Sequence, residues 1–171
     1  YVEAEAWYNR SLATSQGSGD LAGVARATIG AGTLAAQRGD YAAAMSLYEE
    51  SLALRRQLND SANIANVLNN MGIVARFQGE YGRARSLHQQ ALAIRRDIGD
   101  KRGIGYSLIN LGNVAIDERA YDEANACLAE ALKVWREVGD RYLIANTLNN
   151  LGNLAREQGD YGKAGEVYGE S

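Results

Sequence analysis

Asn146-Thr147-Leu148-Asn149-Asn150-Leu151-Gly152-Asn153 decides how this chain is read, because earlier parts of the chain write it again. Asn66-Val67-Leu68-Asn69-Asn70-Met71-Gly72-Ile73 stands 80 residues upstream, and Tyr106-Ser107-Leu108-Ile109-Asn110-Leu111-Gly112-Asn113 lies midway. Arg26-Ala27-Thr28-Ile29-Gly30-Ala31-Gly32-Thr33 is a worn copy another 40 residues back. A fixed period in this range marks a solenoid of stacked units, none of which buries its apolar face alone.

The segments between these copies keep the same period. Tyr1, Tyr41, Tyr81, Tyr121 and Tyr161 share one register, each followed three residues later by Ala4, Ala44, Ala84, Ala124 or Ala164. Eleven residues after the first four tyrosines come Leu12, Leu52, Leu92 and Leu132. That spacing sets small and large apolar residues on one side of a helix, helix B of each repeat. Helix B runs into Gly19-Asp20, Asn59-Asp60, Gly99-Asp100 or Gly139-Asp140: glycine or asparagine ends it left-handed, and aspartate caps the next helix. Helix A carries the quoted stretch and stops at Gly39-Asp40, Gly79-Glu80 or Gly159-Asp160. Glu118-Arg119-Ala120 breaks the rule, and a left-handed Arg119 costs about 1 kcal/mol relative to glycine.

The reading is therefore all-α: B0 (1–18), A1 (21–38), B1 (41–58), A2 (61–78), B2 (81–98), A3 (101–118), B3 (121–138), A4 (141–158) and a short B4 (161–171). As one array, this is a helix B of a preceding repeat at 1–19, repeats at 20–59, 60–99 and 100–139, and a partial repeat at 140–171. The chain is expected to be a piece of something longer.

Composition narrows the function classes. Apolar residues make up 46% and charged residues 23% of 171, and there is no proline to interrupt a helix. A net charge of −3 argues against a nucleic-acid or anionic-membrane binder, since phosphate contacts need a basic face. Apolar runs are too short to span a bilayer. A lone Cys127 forms no internal disulfide, which fits a reducing, cytoplasmic setting.

Helix pairs with L-x-N-L/M-G, then glycine-acid-tyrosine, then A-x-x-L/Y-x-x-A-L resemble tetratricopeptide repeats. The matching residues are Leu68, Asn70, Met71, Gly72, Gly79, Tyr81, Ala84, His88, Ala91 and Leu92, with counterparts 40 and 80 residues away. The usual unit of about 34 residues has a proline after helix B; here the period is 40 and proline is absent. This longer form resembles the repeats of Pins/LGN spindle-orientation adaptors and kinesin light chains. The wording L-x-x-R-R-x-x-G-D, then L-N-N-L-G-x-x-A-R-x-Q-G-D-Y, is similar to repeats in large bacterial multidomain regulators. The resemblance implies a right-handed α-α superhelix with helices A lining a concave face. It also implies a non-catalytic module that binds a peptide or partner helix, as the sensor or scaffold arm of a signalling protein.

Helix A can be read from its residues alone. At 100° per residue, Val67, Leu68, Met71, Val74 and Ala75 share one half of A2. Asn66, Asn69, Asn70, Ile73 and Phe77 share the opposite strip, with Arg76 at its margin. The same strip holds Tyr106, Ile109, Asn110, Asn113 and Asp117 in A3, and Asn146, Asn149, Asn150, Asn153 and Glu157, beside Arg156, in A4. In A1 it holds Arg26, Ile29, Gly30, Thr33 and Gln37. Asparagine is a poor interior helix former, so its repeated use at one strip asks for a reason. One is a ladder of carboxamides that bonds a peptide backbone whatever its side chains. The other is that Asn70, Asn110 and Asn150 brace neighbouring repeats. Phe77 either anchors a partner side chain or packs within the groove. Arg76 and Arg156 are either anion contacts or solvated charges.

Arg55-Arg56 and Arg95-Arg96, with Trp135-Arg136 as third copy, are cations at helix C-termini or, as the sharper alternative, a phosphate track. His88 reads as a packed residue and Cys127 as a core filler. No metal-ligand spacing, phosphate loop or paired carboxylates appear, so no cofactor and no catalysis are expected. The expected partner is a protein or peptide. The rival classes are a structural segment that self-associates through its ends, and a regulatory arm of an enzyme.

Overall fold

A computed structural model describes residues 2–170, and only the backbone of residues 2–6, 9 and 12. The register positions Tyr1, Ala4 and Leu12 lie outside the described side chains. Among the described residues the fold is all-α and TPR-like, a solenoid of paired helices without strands. The helices are α1 (Val2–Ser18), α2 (Leu21–Gln37), α3 (Tyr41–Gln57), α4 (Ser61–Phe77), α5 (Tyr81–Asp97), α6 (Lys101–Asp117), α7 (Tyr121–Val138), α8 (Arg141–Glu157) and α9 (Tyr161–Gly169). The chain packs as two compact units, Tyr1–Ile94 and Arg95–Ser171, with the boundary inside α5.

One device builds every turn. Each helix from α1 to α8 is followed, one or two residues on, by a left-handed residue: Gly19, Gly39, Gly79, Gly99, Gly139 and Gly159 have φ between 70° and 81°, Asn59 has 52° and Arg119 has 58°. The following N–H then donates to a carbonyl five residues back, as from Asp60 to Arg55 at 3.0 Å and from Ala120 to Ala115 at 2.8 Å. Aspartate caps the next helix: Asp20 Oδ1 accepts from Gly23 N–H at 2.9 Å, Asp100 from Gly103 at 2.9 Å, and Asp160 from Lys163 at 2.9 Å. The α6–α7 turn keeps the left-handed residue and the bond five residues back but lacks the glycine and the aspartate cap, since Arg119 carries a Cβ and Ala120 makes no side-chain cap.

In Tyr1–Ile94 the glycine of the quoted stretch is where helix B presses on helix A. A Cβ on Gly32 would stand 2.8 Å from Tyr48 Cε1, and one on Gly72 would stand 2.6 Å from His88 Cε1. Tyr48 and His88 are both buried. Val67, Leu68, Met71, Val74 and Ala75 are buried as their helical phase requires. Ser51 Oγ donates to Ala25 O at 2.8 Å. Arg55, in the last turn of α3, is buried and donates to Asp60 Oδ2 at 2.7 Å.

In Arg95–Ser171 the core gathers Ala115, Ala124, Leu128, Leu132, Leu148, Leu151 and Leu154. Arg95 is buried, and its Nη1 donates to Gly103 O at 3.0 Å and Ser107 Oγ at 2.7 Å. Burial pushes this guanidinium below its ordinary value while Asp100 pulls it back. The first arginine of each pair is thus a buried tie across a turn, not a solvated partner of the helix dipole. Arg96 and Arg136 meet Glu130 and Glu170 at 2.7 and 3.1 Å. These arginines face carboxylates of the chain itself, which leaves little for a phosphate track. Trp135, the third copy of Arg55 and Arg95, is fully buried against Gly105 where Ala25 and Ala65 stand in earlier repeats.

Two outcomes are expected in thermal or denaturant melts. Arg119→Gly stabilises by about 1 kcal/mol, and adding Ala120→Asp contributes about 1 kcal/mol more by restoring the cap. Gly105→Ala destabilises by about 1–3 kcal/mol, because the new methyl overlaps the Trp135 ring by more than alanine's helix preference offsets. An unchanged midpoint in Gly105→Ala would contradict the ring contact.

Candidate functional site

The strip opposite the buried face of each helix A is the one that reaches solvent. In Tyr1–Ile94, Asn66 and Phe77 are exposed, while Asn69, Asn70, Ile73 and Arg76 are half-buried. In Arg95–Ser171, Tyr106, Asn146, Asn149, Asn153 and Arg156 are exposed, and Asn110, Asn113 and Asn150 are half-buried. The helix phase read from the apolar positions therefore sorts these side chains correctly. The two units hold separate groups of strip residues.

The amides are not all alike. Tyr168 Oη donates to Asn153 Oδ1 at 2.8 Å, so that carbonyl oxygen is already engaged. Asn150 Nδ2 lies 3.5 Å from Asn146 Oδ1, a long contact one helical turn apart. Tyr48 Oη reaches Thr33 Oγ1 at 3.2 Å in the same relation as Tyr168 to Asn153, fifteen residues on. Tyr48 and Tyr168, which lie on Gly32 and Gly152, thus extend to the edge of the strip. Tyr106 is tethered as well: its ring stands edge-on to Trp135, with centroids 5.2 Å apart, and is still 44% exposed.

A groove in the surface of Tyr1–Ile94 brings together Asn70, Ile73 and Phe77. With Thr33, Gln37, Tyr41 and Tyr48 they line a groove of about 340 Å³ between α2, α3 and α4. Phe77 is 63% exposed, and its ring stacks parallel to Tyr41 at 3° with centroids 6.1 Å apart. The two rings make an apolar wall, and Asn70 and Gln37 offer amides beside it. Tyr41 and Tyr48 were not legible as site residues, because the register assigned both to helix packing. The usable signal was that Tyr41 and Phe77 are one period less four residues apart, one helical turn short of the repeat.

His88 and Cys127 take no part in this groove. His88 is buried at Gly72, and Cys127 is half-buried. No group of three or more His, Cys, Asp or Glu able to hold a metal occurs among the described residues. No helix of the described residues is long and apolar enough to cross a membrane.

The sequence pattern of the Tetratricopeptide repeat family matches residues 1–57, 47–97 and 103–171. The chain belongs to the tetratricopeptide repeat family. Solved structures of similar fold include BtubC (BKLC) from P. vanneervenii, at TM-score 0.87 and 19% identity, with 98% of this chain and 70% of that one covered. A second is the Rap conjugation gene regulator of the plasmid pLS20 in complex with the Phr* peptide. It has TM-score 0.76 and 19% identity, over 91% of this chain and 44% of that one, so the present repeats span less than half its length. A third is a Podosopora anserina putative kinesin light chain with nearly identical TPR-like repeats, at TM-score 0.74 and 12% identity, over 98% of this chain and 91% of that one. No curated protein sequence matches the chain. At these identities the structures speak for the tetratricopeptide fold alone.

Proposed function

We propose that these tetratricopeptide repeats form a non-catalytic protein-interaction module that binds an extended peptide along the exposed strip of helix A. The stacked Tyr41–Phe77 wall beside Asn70 and Gln37 carries this reading. An exposed phenylalanine normally retreats from water; here it is held upright against a second ring and completes a groove. The groove receives a large apolar side chain of the peptide, and the neighbouring amides bond its backbone. Asn66, Asn69, Ile73 and Arg76 extend this surface in Tyr1–Ile94. In Arg95–Ser171 the corresponding surface is Tyr106, Asn110, Asn113, Asn146, Asn149, Asn150, Asn153 and Arg156. The pLS20 Rap regulator, solved with a peptide on the same fold, supports a peptide as the class of ligand. The repeats are divided at 20–59, 60–99 and 100–139, and the module serves as the sensor or scaffold arm of a larger regulatory protein.

Selection of peptides from a random display library on the purified chain tests this. The recovered peptides are expected to share one bulky apolar residue. Phe77→Ala should weaken them by about 30-fold, equivalent to about 2 kcal/mol for an anchor contact. Asn70→Ala should cost less, about 0.5–1.5 kcal/mol for one hydrogen bond. Asn149→Ala with Asn153→Ala should weaken capture and leave the oligomeric state unchanged. Unaltered binding in Phe77→Ala would rule the groove out. A change of oligomeric state with binding intact would favour self-association instead.

A further inference from the structure

A second cavity, open at one side, lies in Tyr1–Ile94 between α1, α2 and α3 and is lined by different residues of α2. Its volume is about 280 Å³. The repeats themselves show why it is there. Thr28 stands where the other copies have Leu68, Leu108 and Leu148, and Ala31 where they have Met71, Leu111 and Leu151. All six of those larger residues are buried in the cores of their own repeats. Ala43, at the edge, replaces Arg83, Glu123 and Lys163. The first repeat therefore keeps the backbone of its sisters and lacks the side chains that fill them. A truncated core leaves a hole because packed helices close over it only in part.

The lining sets the chemistry of what enters. The inner wall is alanine, leucine and the ring of Tyr8. Its one buried polar group, the Thr28 hydroxyl, already donates to Val24 O at 2.8 Å. Arg38 and Asp40 stand at the edge, exposed and of opposite sign, so neither charge dominates the entrance. A polar molecule reaching the inner wall would give up water for few replacement bonds, whereas an apolar one loses little. Apolar cavities of about 150 Å³ stay dry and take up benzene. We propose that this cavity is a binding site for a small, uncharged apolar molecule, comparable in bulk to the paired leucine and methionine side chains of the next repeat.

The test uses the full chain with its alanine methyls labelled with carbon-13, titrated with benzene while the spectrum and the melting temperature are followed. Saturable shifts at the Ala27, Ala31 and Ala35 methyls, with a melting temperature several degrees higher, are expected. The double variant Thr28→Leu, Ala31→Met restores the residues of the next repeat. It should melt above the parent and bind benzene at least tenfold more weakly, read at Ala27 and Ala35. Pentanoate and butylamine, of similar bulk but charged, should leave these methyls unmoved. The proposal falls if benzene leaves the parent's methyls and melting unchanged, if the double variant responds as the parent does, or if either charged molecule matches benzene. The parent titration decides by itself if the double variant does not fold.

Discussion

The contact on which the structure depends is a bare glycine in helix A lying under a large side chain of helix B. Tyr48 covers Gly32, His88 covers Gly72, Leu128 covers Gly112 and Tyr168 covers Gly152. Any Cβ at the first two positions would stand closer than carbon atoms approach, so the helices reach this spacing only because the side chain is missing. Close axes let the small Ala44, Ala84, Ala124 and Ala164 lie buried, and the leucines fill the space to either side. The cost of glycine inside a helix, about 1 kcal/mol against alanine, is offset by the dispersion contacts of a whole ring.

That contact also orients helix A. Once the glycine and its neighbours Val67, Leu68 and Met71 face inward, Asn66, Asn69, Ile73 and Phe77 have nowhere to go but the strip that water reaches. The covering side chain is long enough to meet that strip when it is a tyrosine, and its hydroxyl then holds Thr33 or Asn153. Packing and the exposed strip are therefore coupled at Tyr48 and Tyr168.

The individuality of the chain lies in its departures from its own period. Phe77 stands where Gln37, Asp117 and Glu157 are polar, and it alone builds an aromatic wall. Trp135 replaces an arginine and is matched by Gly105, a pair of compensating changes within one chain. Thr28 and Ala31 thin a core that later copies fill. Arg119 and Ala120 strip one turn of both its glycine and its cap. A strict repeat makes equivalent sites; these exceptions make the repeats chemically different.

Periodicity was enough to read the helices, their turns and their buried faces, because those depend on local dihedral preference and on a helical phase that neighbours in sequence share. The left-handed Arg119 and Asn59 and the exposed asparagines were legible for the same reason. Tertiary structure decided the rest. Arg55 and Arg95 read as cations at helix C-termini, yet each is buried across a turn, because partners five to twelve residues away supply the bonds that make burial tolerable. Tyr41 read as packing, yet it is half of the groove wall, because its partner Phe77 comes from the far end of the next helix rather than from its own helical phase. Helical phase is a property of one segment, whereas a groove is a property of three segments brought together. Only their packing settles which side chains share it.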